Sequence, residues 1–218
     1  MPSSSLDSVI DFLEPVNIAQ LTQDEGFKDT QLGTHIAVYD QTFPDLEKAD
    51  IVLVGCGEMR GAGIEYTSTD APDAIRLAFY NLYHWHTAVT VADIGNVKCG
   101  ATLQDSYAAL RMVISELTAI GKKVVILGGS HDVTMAQYQS YVNENKIIDA
   151  VCVDARIDMD MESVLPADNF LVELFTGMPN HLKHYNHIGF QSYFMHPQML
   201  ETIDKFRFDC YRLGKVKE

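Results

Sequence analysis

Residues 122–160 read KKVVILGGSHDVTMAQYQSYVNENKIIDAVCVDARIDMD. Two short apolar runs, KKVVILGG (122–129) and IIDAVCVDA (147–155), flank DVTMAQYQSYVNE (132–144), which has the length and composition of a helix. A short apolar run that stops at glycine or aspartate and then gives way to a helix is the pattern of a βαβ unit. Its parallel strands read as nearly continuous apolar runs because both of their faces are buried.

The same rhythm extends outward in both directions. IVLVG (51–55) is a further strand. It is followed by the glycine-rich loop CGEMRGAGIEYTST and by a helix that Asp70 caps, with Pro72 in its first turn. Apolar residues at 71, 74, 75, 78, 82 and 85 fall on one helical face. AVTVADIG (88–95) predicts a strand, and LQDSYAALRMVISELTAIG (103–121) a helix closed by Gly121. Downstream, DNFLVELFTG (168–177) predicts a short helix, HIGFQSYF (187–194) a strand and HPQMLETIDKF (196–206) a helix. Strands near 51–55, 89–94, 123–127, 148–153 and 187–192 are expected in one mainly parallel sheet. Residues 1–45 are polar and punctuated by Pro2, Pro15 and Pro44, and are expected to form an irregular extension packed on a domain of residues 46–218. Within the extension, LDSVIDFLEPV suggests a short helix ended near Pro15, and HIAVYD a strand.

Composition narrows the function classes. The 218 residues are 47% hydrophobic and 21% charged, an ordinary globular balance, with 16 Lys plus Arg against 30 Asp plus Glu. A net charge of −14 repels phosphate backbones and anionic membrane surfaces, so neither nucleic acid nor a membrane is an expected partner. Cys56, Cys99, Cys152 and Cys210 form no C-x-x-C and are expected as buried free thiols in a reducing cytoplasm. No Lys or Arg precedes Lys28, so the basic segment of a signal peptide is missing, and no apolar stretch approaches the ~20 residues of a membrane span.

In parallel α/β sheets, sites form outside the carboxyl ends of the strands. Two of these ends hold candidate metal ligands. Gly128-Gly129-Ser130-His131-Asp132 places His131 where the next helix begins. Asp154-Ala155-Arg156-Ile157-Asp158 puts Asp154, Arg156 and Asp158 on one face of an extended segment, with Asp160 beyond. A histidine and two carboxylates suit a hard or borderline divalent ion such as Mn²⁺. The same residues also suit a capped turn and a carboxylate–arginine network that only ties loops together. Trp85, His84 and His86 are expected in core or helix-end roles, and Met159 and Met161 as packing residues. Arg60 and Arg76 lie near a glycine-rich loop that lacks phosphate-loop spacing.

LGGSHDVT, VCVDARIDMD, the earlier GCGEMRG with APDAIR and DIGN, and the later HIGFQSY occur in the order seen in ureohydrolases. The chain resembles this family of arginases, agmatinases and formimidoylglutamases over roughly residues 50–195, and GGSHD is most similar to its divergent formimidoylglutamase-like members. The resemblance implies a three-layer α/β/α sandwich around a mainly parallel sheet. It also implies a pair of Mn²⁺ ions that activate a hydroxide, and hydrolysis of a C–N bond in a linear amidine or guanidine. By motif match His131 and Asp158 correspond to ligands of the first metal, and Asp154 to a bridging ligand.

Two departures qualify the match. The family pattern is Asp-Ala-His-x-Asp, and Arg156 occupies the position of the histidine that binds the second metal. A guanidinium stays protonated and has no lone pair to donate. The later Ser-Phe-Asp-x-Asp motif is also missing. RFDCY (207–211) has one aspartate and predicts an ordinary strand or helix end, so the fold is expected to be C-terminally incomplete and the chain a fragment or a product that lost that half. The expectation is thus a ureohydrolase-type α/β domain with a degenerate metal site, without Mn²⁺ in this chain, and homo-oligomeric. The competing reading is an inactive binding or assembly domain in which Arg156 replaces a metal and pairs with Asp154 and Asp158.

Overall fold

The computed structural model describes residues 8–23, 25–65, 67–68 and 70–216. The chain divides into two compact units, Met1–Gln137 and Tyr138–Glu218.

The first unit contains β1 (Leu13–Glu14), α1 (Ile18–Thr22), α2 (Leu32–His35), β2 (Ala37–Val38), β3 (Ile51–Cys56), α3 (Asp70–Tyr80), β4 (Val91–Val97), α4 (Leu103–Ala119) and β5 (Lys123–Leu127). Its sheet runs β1-β4-β3-β5, with β2 also pairing with β4. β3 is parallel to both neighbours, Val52 lying opposite Ala92 on one side and Val124 on the other. β2 is parallel to β4, and only β1 is antiparallel. The short helix expected in LDSVIDFLEPV is a 3-10 turn, Ile10–Phe12, followed at once by β1, because the residue before Pro15 is driven into the extended region. Leu6 and Asp7 of that stretch lie outside the described residues.

α4 covers this sheet for a legible reason. Leu110, Val113, Ile114 and Leu117 recur at helical spacing, and all are fully buried with Val52, Val54 and Ile94. Thr102 and Asp105 close its start as a capping box, each side chain accepting from the other's backbone N–H (3.2 and 2.9 Å).

α3 departs from expectation. The apolar positions 71, 74, 75 and 78 face outward, and Trp85, beyond the helix, is 81% exposed. The buried face is Pro72, Arg76 and Tyr80. Periodicity misleads here because a charge is buried with its partners. Arg76 donates to both oxygens of Asp93 (2.9 and 3.0 Å), to Asn96 Oδ1 (2.7 Å) and to the Gly95 carbonyl, while the Tyr80 hydroxyl donates to Asp93 Oδ2 (2.7 Å). Such a site is tolerated only when every lone pair and proton is satisfied. His84, next to Trp85, stacks on His35 with ring centroids 4.0 Å apart.

α5 (Thr134–Asn143) leads into the second unit, which holds β6 (Ile148–Val153), α6 (Pro166–Thr176), β7 (Leu182–Phe190), α7 (Pro197–Phe206), β8 (Asp209–Arg212) and α8 (Leu213–Val216). Its three strands run in the order β6-β7-β8, all parallel. Phe175, Tyr185, Phe206 and Phe208 form an aromatic cluster with centroid separations from 4.9 to 5.9 Å. The strands are therefore mainly parallel and connected through helices, as expected, but they fall into two sheets and not one. An apolar run specifies a strand; which strand it pairs with is decided by packing beyond the run. RFDCY does contain a strand, β8.

Candidate functional site

In the first unit the carboxyl ends of β3 and β5 turn toward a polar cluster. Gly128 and Gly129 both adopt positive φ (+80° and +84°), the conformation glycine tolerates best, which lets the chain reverse directly after β5. A Cβ on Gly129 would stand 2.9 Å from Val133 and 3.1 Å from the Cys56 carbonyl. The Ser130 N–H donates to the Glu58 carbonyl (2.9 Å), which fixes the turn against the loop after β3. His131 then opens a 3-10 turn ahead of α5, with its side chain exposed.

Beside His131, Asp132 is buried and accepts from the Tyr107 hydroxyl through Oδ2; among the described residues its Oδ1 has no hydrogen-bond partner. Glu58, fully buried, receives Nε and Nη2 of Arg60 (2.9 and 2.6 Å). Arg60 also donates to the carbonyls of Gly100 and Ala101 and to Ser106. Burial alone would push the Glu58 carboxyl up, but hydrogen bonds from Arg60 and Ser106 outweigh it and hold the group below the usual glutamate range. Arg60 thus ties loops together instead of facing a phosphate. Burial pushes the Cys56 thiol up to about 12, so it is an inert core thiol.

In the second unit, Asp154 and Asp158 lie on the loop that leaves β6. One carboxylate oxygen of each lies within 4.8 Å of the other's. Asp158 is buried and Asp154 partly so. The loop is held from several sides. The Asp154 N–H donates to the Ile188 carbonyl (3.0 Å), the Arg156 N–H donates to Asp154 Oδ1 (3.0 Å), and the Asp158 carbonyl accepts from the Leu171 N–H (3.2 Å). The guanidinium of Arg156 pairs with Asp168 in the first turn of α6 (3.2 Å), a partner that sequence reasoning did not single out in place of Asp154 or Asp158. Asp168 also accepts from Ser163 Oγ (2.8 Å), and its carbonyl accepts from the Asp160 N–H. The one sequence signal for this hub is an acidic residue just after Pro166 at a helix start. Met159 is buried, as expected of a packing residue, whereas Met161 is 77% exposed.

Asp154 and Asp158 lie together on this loop, and each is a hard oxygen donor suited to one divalent ion. The donors do not fit a metal pair. The side chain at 156 is a cation engaged with Asp168, and it offers no lone pair to a second ion.

Comparison with known proteins agrees with the motif order. The model of the arginase family matches residues 49–217. Formimidoylglutamase from Hahella chejuensis is 28% identical over 102 residues, 44% of this chain and 31% of the relative. Formimidoylglutamase from Staphylococcus aureus is 28% identical over 134 residues, 56% of this chain and 43% of the relative. The chain thus spans less than half the length of these curated relatives. Among solved structures, formimidoylglutamase from Bacillus subtilis aligns with a TM-score of 0.71 at 16% identity, over 98% of this chain and 67% of that one. Formiminoglutamase from Trypanosoma cruzi, solved with Mn²⁺, aligns with a TM-score of 0.70 at 15% identity, over 87% and 67%. At such identities the structural likeness establishes a shared fold.

Proposed function

Because the chain belongs to the arginase family, we propose that it derives from a hydrolase of linear amidine C–N bonds and keeps a one-cation remnant of that site. His131, Asp154 and Asp158 are the proposed ligands, with Mn²⁺ as the cation and a formimidoylglutamate-like or guanidino compound as the ancestral substrate. When bound, such ions would lower the pKa of water and so supply a nucleophile near neutral pH. This chain on its own does not turn over amidines, because it has no side chain at 156 able to hold the second ion. The observation that carries this reading is the Arg156–Asp168 pair: the arginine is built into the loop beside Asp154 by its guanidinium and by its own N–H.

A domain that binds partners without hydrolysis is favoured by that same pair. It is also supported by the exposed apolar residues Leu82, Tyr83 and Trp85, which suit a homo-oligomer interface. The four free cysteines support a cytoplasmic location.

The test is metal analysis of protein purified without chelator, Mn²⁺ titration followed by electron paramagnetic resonance, and assays on formimidoylglutamate, arginine and agmatine. One weakly bound ion and no turnover are expected. Two tightly bound ions per chain, or turnover, would overturn the reading.

A further inference from the structure

The second unit contains a buried polar chain that ends on a proposed ligand. His187 and Tyr185 are two residues apart on β7 and so share a face, and Cys152 on β6 is the register partner of His187. The Tyr185 hydroxyl lies 2.9 Å from His187 Nδ1, and His187 Nε2 lies 3.0 Å from the Asp154 carbonyl oxygen. Both rings are buried, His187 completely.

The donor directions follow from chemistry. A carbonyl oxygen only accepts, so His187 carries its proton on Nε2 and donates it to Asp154. In the ring protonated on Nε2, Nδ1 accepts from the Tyr185 hydroxyl. The chain runs from Tyr185 through His187 to the Asp154 carbonyl.

We infer that His187 is a positioning residue for Asp154: its Nε2–H fixes the peptide that follows β6 and so aims the carboxylates of the 154–158 loop. The role in cation binding rests on the proposed ligand set; the role in holding the loop does not. A hydrophobic residue at 187 would leave the partly buried Asp154 carbonyl without this partner and the loop held by fewer bonds. A glutamine would present an amide N–H at about the reach of the imidazole Nε2.

The experiment compares wild type, H187L and H187Q. In metal-free protein, hydrogen exchange is read at the Arg156 amide, which donates to Asp154 Oδ1. Protection there is expected to fall roughly tenfold in H187L, the worth of about one hydrogen bond, to persist in H187Q, and to leave the β7 amides unchanged. Mn²⁺ affinity, read by paramagnetic resonance, is expected to fall about tenfold in H187L and to recover in H187Q. Should H187L not fold, H187F replaces it, since it fills the space of the ring without a donor, and the same loss at Arg156 is expected. Wild-type protection at Arg156 in folded H187L or H187F, or H187Q behaving as H187L, would overturn the inference. Absence of Mn²⁺ binding by wild type would instead overturn the proposed ligand set, and the metal-free exchange measurement would still decide the role of His187.

Discussion

Nη2 of Arg156 lies 3.2 Å from Oδ1 of Asp168, across the loop that joins β6 to α6. The family resemblance implies a metal-binding histidine at this position; here it is a cation with a carboxylate partner of its own. Both side chains retain solvent contact (53% and 28% exposed), so the pair contributes at most ~1 kcal/mol to stability. Its larger effect is electrostatic: an arginine beside Asp154 competes with any divalent cation. At an effective dielectric of 20, like charges 4 Å apart repel by ~4 kcal/mol.

Replacing Arg156 with histidine is therefore expected to tighten Mn²⁺ binding by about tenfold or more, as a neutral donor replaces a positive charge. Stability should change by no more than ~1 kcal/mol. Turnover of amidines is not expected to appear. Paramagnetic titration of R156H beside wild type, with a thermal melt of each, measures both effects. An unchanged Mn²⁺ affinity would mean that residue 156 does not face the cation.

Asp168→Ala removes more than an ion pair, because the same carboxylate accepts from Ser163. Losing hydrogen bonds to a partly buried charged acceptor should cost about 1.5–3 kcal/mol, measured by urea unfolding. Hydrogen exchange should rise across residues 156–163 before it rises in β6.

Arg76→Leu should be among the most damaging single changes in the first unit. Among the described residues it leaves the fully buried Asp93 with the Tyr80 hydroxyl and the Gly95 N–H, and breaking a buried pair from one side costs about 3–5 kcal/mol. Tyr80→Phe removes one bond to the same carboxylate and should cost about 1.5–3 kcal/mol. Chemical denaturation of both variants tests the order.

Glu58 makes the stability of the first unit sensitive to acid. Its folded pKa is depressed below the unfolded value, so its contribution is fully present above the unfolded pKa of about 4.3 and disappears as pH falls from there through the folded value. Glu58→Gln should flatten the stability curve in that acid window. At neutral pH the variant should be less stable than wild type, since Arg60 loses its ionic partner. Urea midpoints collected from pH 3 to 7 on both proteins follow this directly.

Much of this was legible in the sequence. The runs at 51–55, 123–127 and 148–153 specified strands because a short apolar segment ended by glycine or aspartate has few other stable fates. Gly128 and Gly129 marked the reversal ahead of His131, and the spacing of Asp154 and Asp158 placed two carboxylates on one loop. The order of the motifs identified the family, and Arg156 stood where the resemblance implies a histidine. Other features depend on residues distant in sequence. That Arg156 pairs with Asp168, that the buried face of α3 carries Arg76 opposite Asp93, and that His187 supports Asp154 all follow from partners 12, 17 and 33 positions apart. Periodicity reports which positions are apolar, but a polar group is buried wherever the fold supplies its complement, and only the tertiary structure decides where that is.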